Sequence, residues 1–398
     1  MVRLPPPLRP LFPYLKPAYT AATRAFAPVG IAITRKPDGL PTGVVATTEE
    51  AAETSGGRWV LARPAETISR QAPAHGPADA MFAANLAETA TRAVVAELPR
   101  GRVLGPHHAV ITGRNDLVQD LSYYFGTTRP REHPLFLHPW PPRPREIGGR
   151  LGVLATRGDV NYYHFLIDVL PRLAVLAAAP EIEPPAQWYV PRATSFQREL
   201  LERVGLTPEQ CVDASVDVHV RAETLVVPSP PSMVVVNPPW VIEWLRSALM
   251  PEPVARIHGR RIYVTRGPGS NNRAVSNEDA VMAALAARGF EFVDPAALSV
   301  AEQIRTFAEA SVIVASHGAA LANLVFASPG ATVVELFPAG NPVPDYWKLS
   351  CGVPGLSYRY LLGRGPDYSH SAADRSRMLV ADIEVDIDAL NRMLDEVG

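Results

Sequence analysis

From about residue 150 onward, short apolar runs alternate with segments whose apolar positions recur every three or four residues. That is the pattern of strands alternating with helices. Leu151–Ala155 reads as a strand. Asn161 to about Ala178 reads as a helix that Pro171 kinks or restarts. Trp188–Val190 is a strand, Ser195–Val204 a helix closed by Gly205, and Val218–Val227 a strand. After a proline-rich stretch, Pro228–Pro239, the alternation sharpens, with strands at Arg261–Thr265, Phe290–Val293, Ser311–Ala315, Thr332–Phe337 and Tyr358–Leu361. Between them, Ser276 with Asp279 and Ser299 with Glu302 are spaced as capping boxes. Val281, Ala284 and Leu285 mark the inner face of the first helix, which Gly289 ends, and Ile304 and Phe307 mark that of the second. Further helices are expected at Gly318–Phe326 and near Tyr346–Ser350. Uniformly apolar strands with short connections predict a parallel sheet covered on both faces, a Rossmann-like lobe. Ile387, Leu390, Met393, Leu394 and Val397 stand at helical spacing and predict a terminal helix packed on one lobe or across both.

Upstream the pattern weakens. Arg102–Leu104 and Ala109–Thr112 are short β-type runs, Pro130–Pro144 an extended proline-rich connector, and residues 1–92 show only faint periodicity. A chain of 398 residues suits two domains better than one. The expected division is an irregular N-terminal region over 1–92, an α/β lobe over 93–240, a Rossmann-like lobe over 255–365, and a C-terminal strand and helix over 366–398 packing back on the lobes.

Composition narrows the function classes. A formal net charge of -2 argues against nucleic-acid binding, which needs a basic stripe. Cys211 and Cys351 form no C-x-x-C pair or disulfide framework and read as packing residues in a reducing compartment. The most apolar stretch, Phe165–Ala179, is interrupted by Asp168, Pro171 and Arg172 and falls short of the ~18 residues of a membrane span. Pro5, Pro6 and Pro7 stand where a signal peptide needs a helical apolar region. Arg3, Arg9, Lys16, Arg24, Arg35 and Lys36 precede the first acid, Asp38, and read as a solvated arm, with weak docking on an anionic membrane surface as the alternative. These readings place the chain in the cytoplasm or at the membrane's inner face.

Candidate chemistry gathers at predicted carboxyl ends of strands, where open parallel sheets bind ligands. Arg266 follows the strand Arg261–Thr265, and a Gly/Asn-rich loop ending in Asn272 leads to Arg273. Two guanidinium groups around such a loop suit a diphosphate, because they bind phosphate oxygens bidentately while glycines let backbone N–H groups approach. Ser316-His317-Gly318 follows the next strand but one and opens the helix carrying Asn323, a further anion-binding end. Glu335 lies late in its strand. The loop lacks Gly-Lys-Ser/Thr and a third glycine, so it is neither a P-loop nor a dinucleotide fingerprint. Read blandly, it is a surface turn with solvated arginines and a core histidine. In the N-terminal lobe, His164 and Asp168 stand four residues apart on one helix face, with Arg172 next on it. A histidine oriented by a carboxylate suits general-base work, and a surface salt-bridge stripe is the bland alternative.

Together these segments resemble glycosyltransferase family 61. The resemblance rests on Asn161-Tyr162-Tyr163-His164-Phe165, Asp168 and Leu170-Pro171-Arg172. It continues through Tyr263, Arg266, Arg273, Asn277-Glu278, Gly289-Phe290, Glu302-Gln303, Ser316 to Phe326 and Glu335-Leu336. It implies an α/β GT-B-like fold, two Rossmann-like lobes facing a cleft, and inversion at the anomeric carbon. It implies a nucleotide-sugar donor held in the C-terminal lobe by Arg266, Asn272, Arg273, His317, Gly318, Asn323 and Glu335. A glycan acceptor of surface or capsular polysaccharide type would lie near Asn161, Tyr163 and Arg172, with His164 or Asp168 as base. No cofactor or metal is expected. Asp386-Ile387-Asp388 spells D-x-D, but it precedes the terminal helix, so Asp386 or Asp388 reads as its N-cap. Two rivals stand beside this reading: a non-catalytic nucleotide- or glycan-binding protein of the same fold, and an α/β-hydrolase, which lacks the required G-x-S-x-G.

Overall fold

The computed structural model describes residues 38–77, 79–124, 129–138, 140–232, 235–250, 259–266, 273–340, 342–365 and 381–397, with short pieces between 18 and 26. Asn272 and the rest of the Gly/Asn-rich loop, and the six basic residues of the N-terminal arm, lie outside them. The chain forms two compact units, Met1–Ala65 with Thr91–Pro231 and Glu66–Ala90 with Ser232–Gly398. In chain order the strands are β1 (Gly43–Val45), β2 (Arg58–Arg63), β3 (Glu66–Ser69), β4 (Ala87–Ala90), β5 (Ala93–Pro99), β6 (Arg102–Leu104), β7 (Ala109–Ile111) and β8 (Asp116–Val118). They continue with β9 (Arg145–Val153), β10 (Gln187–Val190), β11 (Cys211–Asp213), β12 (His219–Pro228), β13 (Arg261–Val264), β14 (Phe290–Val293), β15 (Val312–Ser316), β16 (Thr332–Phe337) and β17 (Ser357–Leu362).

The first unit is built on a mixed sheet rather than a purely parallel one. β12, β9, β10 and β11 run parallel, with helices Arg172–Ala177 and Ser195–Arg203 in the crossovers between β9, β10 and β11. The long β12 pairs antiparallel with β6 at its start and β5 at its end, and β7, β8 and β1 extend the sheet beyond β6. Leu151, Val153, Tyr189, Val212, Val220 and Leu225 fill its core. The proline-rich stretch 130–144 is less extended than expected. Pro130–Glu132 and Pro134–Leu137 form 3-10 turns that drive Leu135 and Phe136 into a second core with Leu104, Ile111 and Leu117.

The second unit carries the five-stranded parallel sheet in the order β14-β13-β15-β16-β17. Counted within the unit this is 2-1-3-4-5, and its topological switch point lies between β13 and β15. Val281 and Leu285 on helix Glu278–Ala286 pack on it, as do Leu390, Met393 and Leu394 of the terminal helix Ile387–Asp395. The Ser299–Glu302 capping box forms. The Ser276–Asp279 box does not. Ser276 Oγ donates to the Ile383 carbonyl and Asn277 brackets Val385 through its side-chain amide, so pairing with the segment 382–385 displaces the cap. The expected helix from Gly318 is a 3-10 run, Ala319–Phe326.

Residues 66–90 join the second unit although they precede most of the first. β3 and β4 form a hairpin, and the segment before it turns back pairs with β17: Ala74 N donates to the Tyr358 carbonyl at 2.8 Å and Tyr360 N to that of His75 at 3.0 Å. This covers an otherwise open sheet edge. Lys348 and Arg70 both reach Glu88 at 2.7 Å, and Trp347 Nε1 donates to the Gln71 carbonyl at 3.1 Å, which fastens the helix Asp345–Ser350 to this excursion. Cys211 and Cys351 are free thiols; Cys351 is exposed and fills no core. No helix among the described residues is long and apolar enough to cross a membrane.

Candidate active site

The structure places the two sets of candidate residues at carboxyl ends of parallel strands, one set in each unit. In the second unit both flank the switch point. Arg266 follows β13 directly, and its Nη1 donates to the His317 carbonyl, just beyond β15, at 2.8 Å. Arg273 Nη1 reaches the same carbonyl at 3.5 Å. Two guanidinium groups are thus gathered on one oxygen. Burial first, and the neighbouring Arg273 next, hold Arg266 below the usual guanidinium range. Like charges brought together and partly dried are stabilised by an anion, and phosphate matches the guanidinium fork. Gly318 lies against this pair, and a Cβ there would come within 3.3 Å of Arg266 Nη1. Arg273 has φ +59, a left-handed conformation that a non-glycine residue adopts at a cost, and such strain gathers at functional sites. The next residues lock it in place, with Ala274 N donating to Asp382 at 3.0 Å and Val275 bridging Ile383.

His317 sits behind this pair, its ring confined by Phe337 and Tyr346. Its Nδ1 meets Glu335 Oε1 at 2.5 Å. Glu335 is 0% exposed, so it acts on the histidine and presents no oxygen to a ligand. Asn323 is also buried, donating to Gln303 at 2.9 Å and to the Ala320 carbonyl, and so ties helix Val300–Glu309 to the 3-10 run.

In the first unit β9 runs into the loop 154–160, and Asn161 caps the helix that follows by accepting from Tyr163 N at 2.9 Å. His164 Nδ1 and Asp168 Oδ2 lie 2.7 Å apart, both partly exposed. Between them the helix widens into a π-turn, Phe165–Val169, with Leu170 N bonded to the Phe165 carbonyl at 3.2 Å. Such turns recur at functional sites. Gly158, at φ +82, lets the loop pass the His164 ring, where a Cβ would meet Cδ2 at 3.1 Å. Tyr163 is buried and packs edge-on to that ring.

Arg172 does not continue the exposed face. The helix restarts at Pro171, turning Arg172 inward, where Nε donates to the Asp168 carbonyl at 3.0 Å and Nη2 has no partner among the described residues. Burial pushes it down to about 10 against the opposing pull of Asp168 and Asp159. Two further groups were not singled out from the sequence. Arg157 lies over the Tyr123 ring, 5.3 Å from its centroid, in electrostatic reach of Asp168; burial pushes it down to about 10. Buried His108 reaches Asp159 at 3.1 Å and Tyr189 at 3.3 Å, while Gln197 holds the Asp159 carbonyl, so the loop carrying Arg157 is pinned from behind.

Asp386, the first acid of the D-x-D triplet, has a structural role. Asp386 caps the terminal helix through Ala389 N at 3.0 Å and pairs with Arg364. Among the described residues no group of three or more His, Cys, Asp or Glu side chains is placed to hold a metal ion.

Comparison with known proteins finds similarity over part of the chain. The Glycosyltransferase 61 family profile matches residues 162–334, a range that includes His164, Asp168, Arg266, Arg273 and His317 and stops short of Asn161 and Glu335. A protein O-linked-mannose beta-1,4-N-acetylglucosaminyltransferase 2 from Xenopus tropicalis is 31% identical over 121 residues, covering 29% of this chain and 21% of that protein. The protein of the same name from Canis lupus familiaris is 36% identical over 110 residues, covering 26% and 18%. The chain thus aligns with about a fifth of the length of these relatives. Residues 162–334, with the ordered motifs they contain, thus match glycosyltransferase family 61.

Proposed function

We propose that this protein transfers a sugar, with inversion at the anomeric carbon, from a nucleotide-sugar donor to a glycan acceptor. The observation that carries the reading is the pair of arginines gathered on the His317 carbonyl at the switch point of the second unit. The acceptor hydroxyl oxygen attacks the anomeric carbon as its proton passes to the His164–Asp168 pair. The bond from that carbon to the diphosphate oxygen breaks, and its electron pair leaves with the nucleoside diphosphate, whose charge Arg266 and Arg273 offset. Donor in the C-terminal unit and acceptor beside the N-terminal unit's base is the division of labour of the GT-B class. The relatives' names specify N-acetylglucosamine transfer to O-linked mannose. For this chain that donor sugar is the first to try, beside acceptors of surface or capsular polysaccharide type.

The test is turnover of a nucleotide-sugar panel with and without saccharide acceptors, products being identified by mass spectrometry. His164→Ala should lower kcat by about 10²–10⁴ while donor affinity stays near wild type. If Asp168→Asn alone abolishes turnover and His164→Ala does not, Asp168 is the base. Nucleotide binding without transfer or donor hydrolysis would leave a non-catalytic binding protein.

A further inference from the structure

Behind His317 lies a chain of groups that the transfer step has not yet used. Glu335 on β16 offers one carboxylate oxygen to His317 Nδ1 at 2.5 Å, and its other accepts the Tyr358 hydroxyl of β17, also at 2.5 Å. A carboxylate wholly removed from water is costly unless each oxygen finds a donor, and here both do. Burial pushes the Glu335 carboxyl up, while His317 and Tyr358 hold it back. With Nδ1 committed to Glu335, Nε2 is the ring atom left for a ligand, and it makes no hydrogen bond among the described residues. The charged groups around the ring are Arg266 and Arg273 on its own carbonyl, Glu335 at Nδ1, and Asp345 in electrostatic reach of Glu335; the tyrosines 346 and 358 complete the titratable set. Glu335 and Tyr358 both lie beyond the family-matched residues 162–334.

We propose that Tyr358 is a positioning residue of the donor site: through Glu335 it fixes the orientation of His317, so that Nε2–H is delivered to a phosphate oxygen of the nucleoside diphosphate. The inference rests on the C-terminal unit being the donor half. An imidazolium donates from both nitrogens, so Nδ1–H bonds Glu335 while Nε2–H bonds phosphate, with Glu335 supplying the counter-charge. Tyr358 in turn holds the second oxygen of Glu335 and favours its charged form against burial. The strand bearing Tyr358 is itself fastened, since Ala74 N bonds the Tyr358 carbonyl.

The experiment is calorimetric titration of the full chain with UDP and GDP, each beside its nucleoside. Tyr358→Phe, which removes one oxygen, should weaken the diphosphate about three- to tenfold and leave the nucleoside unchanged, as expected for one lost hydrogen bond. Glu335→Gln should weaken it at least as much. Tyr360→Phe, in the same strand but bonded to the Pro77 carbonyl, is the structural control and should leave the diphosphate-to-nucleoside ratio alone. Diphosphate affinity unchanged in Tyr358→Phe, or falling in step with the nucleoside, overturns the inference while the donor site stands. If the wild type binds neither diphosphate, the donor-site reading fails and takes the inference with it.

Discussion

Replacing Arg273 by glycine separates binding from stability, because the two effects should run in opposite directions. The native backbone at this position has φ +59. Holding a non-glycine residue there costs about 1–2 kcal/mol, which glycine relieves, while glycine's freedom in the unfolded chain takes back about 0.5–1 kcal/mol. Folding stability should therefore stay level or rise by about 1 kcal/mol in urea unfolding. Diphosphate affinity should fall, since a charge-assisted hydrogen bond is worth about 1.5–3 kcal/mol, roughly 10- to 150-fold in Kd. Nucleoside affinity should hold. Arg266→Ala should cost at least as much affinity, because it also releases the His317 carbonyl that Arg266 holds at 2.8 Å. The two guanidinium groups oppose each other, so a bound diphosphate relieves that repulsion, and UDP or GDP should raise the wild-type melting temperature more than the variants'. Calorimetry and thermal shift read both quantities. Equal losses for nucleoside and diphosphate, or destabilisation of Arg273→Gly by more than about 2 kcal/mol, would show that Arg273 is a structural residue and not a phosphate ligand.

If arginines neutralise the leaving diphosphate, EDTA should leave most turnover intact, and Asp386→Asn with Asp388→Asn should be nearly silent because asparagine still caps the helix; loss on chelation restored by Mn²⁺ would refute this. His219, 3% exposed, lies 2.6 Å from the Pro142 carbonyl through Nδ1 and accepts from Arg102 at 2.9 Å through Nε2, which requires a neutral ring, and burial pushes it down to about 4. The unfolded chain takes this proton near pH 6.5 and the folded one does not, so stability present above that pH should fall by about 2 kcal/mol at pH 5, a loss absent from His219→Gln in matched denaturant melts. Glu88→Ala leaves buried Arg70 and Lys348 without their carboxylate and should destabilise the second unit by about 3–5 kcal/mol, against a smaller loss for Glu88→Gln; equal melts for wild type and Glu88→Ala would show that the excursion contributes little.

The second unit was legible because each signal there is local. Strands covered on both faces are apolar throughout, Gly289 takes the left-handed conformation that ends its helix, and Ser299 meets Glu302 within one turn. Legibility ended where a distant segment decided the outcome. Ser276 has a cap's spacing, but the segment 382–385 outcompetes the helix for its hydroxyl. The hairpin 66–90 has a strand's alternation only in short pieces, and its partners Trp347 and Lys348 stand far away in the sequence. At the candidate sites, residue types were readable and directions were not. Arg172 has the spacing of an exposed face, yet Pro171 restarts the helix and turns it inward. Asn323 and Glu335 belong to the motif series but lie in the interior, acting through Gln303 and His317. His108 gave no signal at all, since its partner Asp159 stands on another strand's loop.

Two histidine–carboxylate pairs occur in this chain, and their surroundings argue for different work. His164 and Asp168 are 19% and 29% exposed along their side chains and share one helix, so a hydroxyl can reach the pair and a proton taken from it can pass on to water. That is what a base must do once per turnover. His317 and Glu335 are 8% and 0% exposed, with Tyr358 closing the carboxylate's other side. A carboxylate sealed in this way has no route for exchanging protons except through the imidazole, and such a pair serves better as a fixed, directed charge than as a proton acceptor. Fixed charge is needed where the diphosphate departs, because donors already aimed at the developing charge need no reorganisation as it forms. Under the proposed function, the same two residue types divide between acceptor activation and leaving-group stabilisation according to how much water each can reach, because the buried pair could pass on a proton only through the imidazole nitrogen that the diphosphate would occupy.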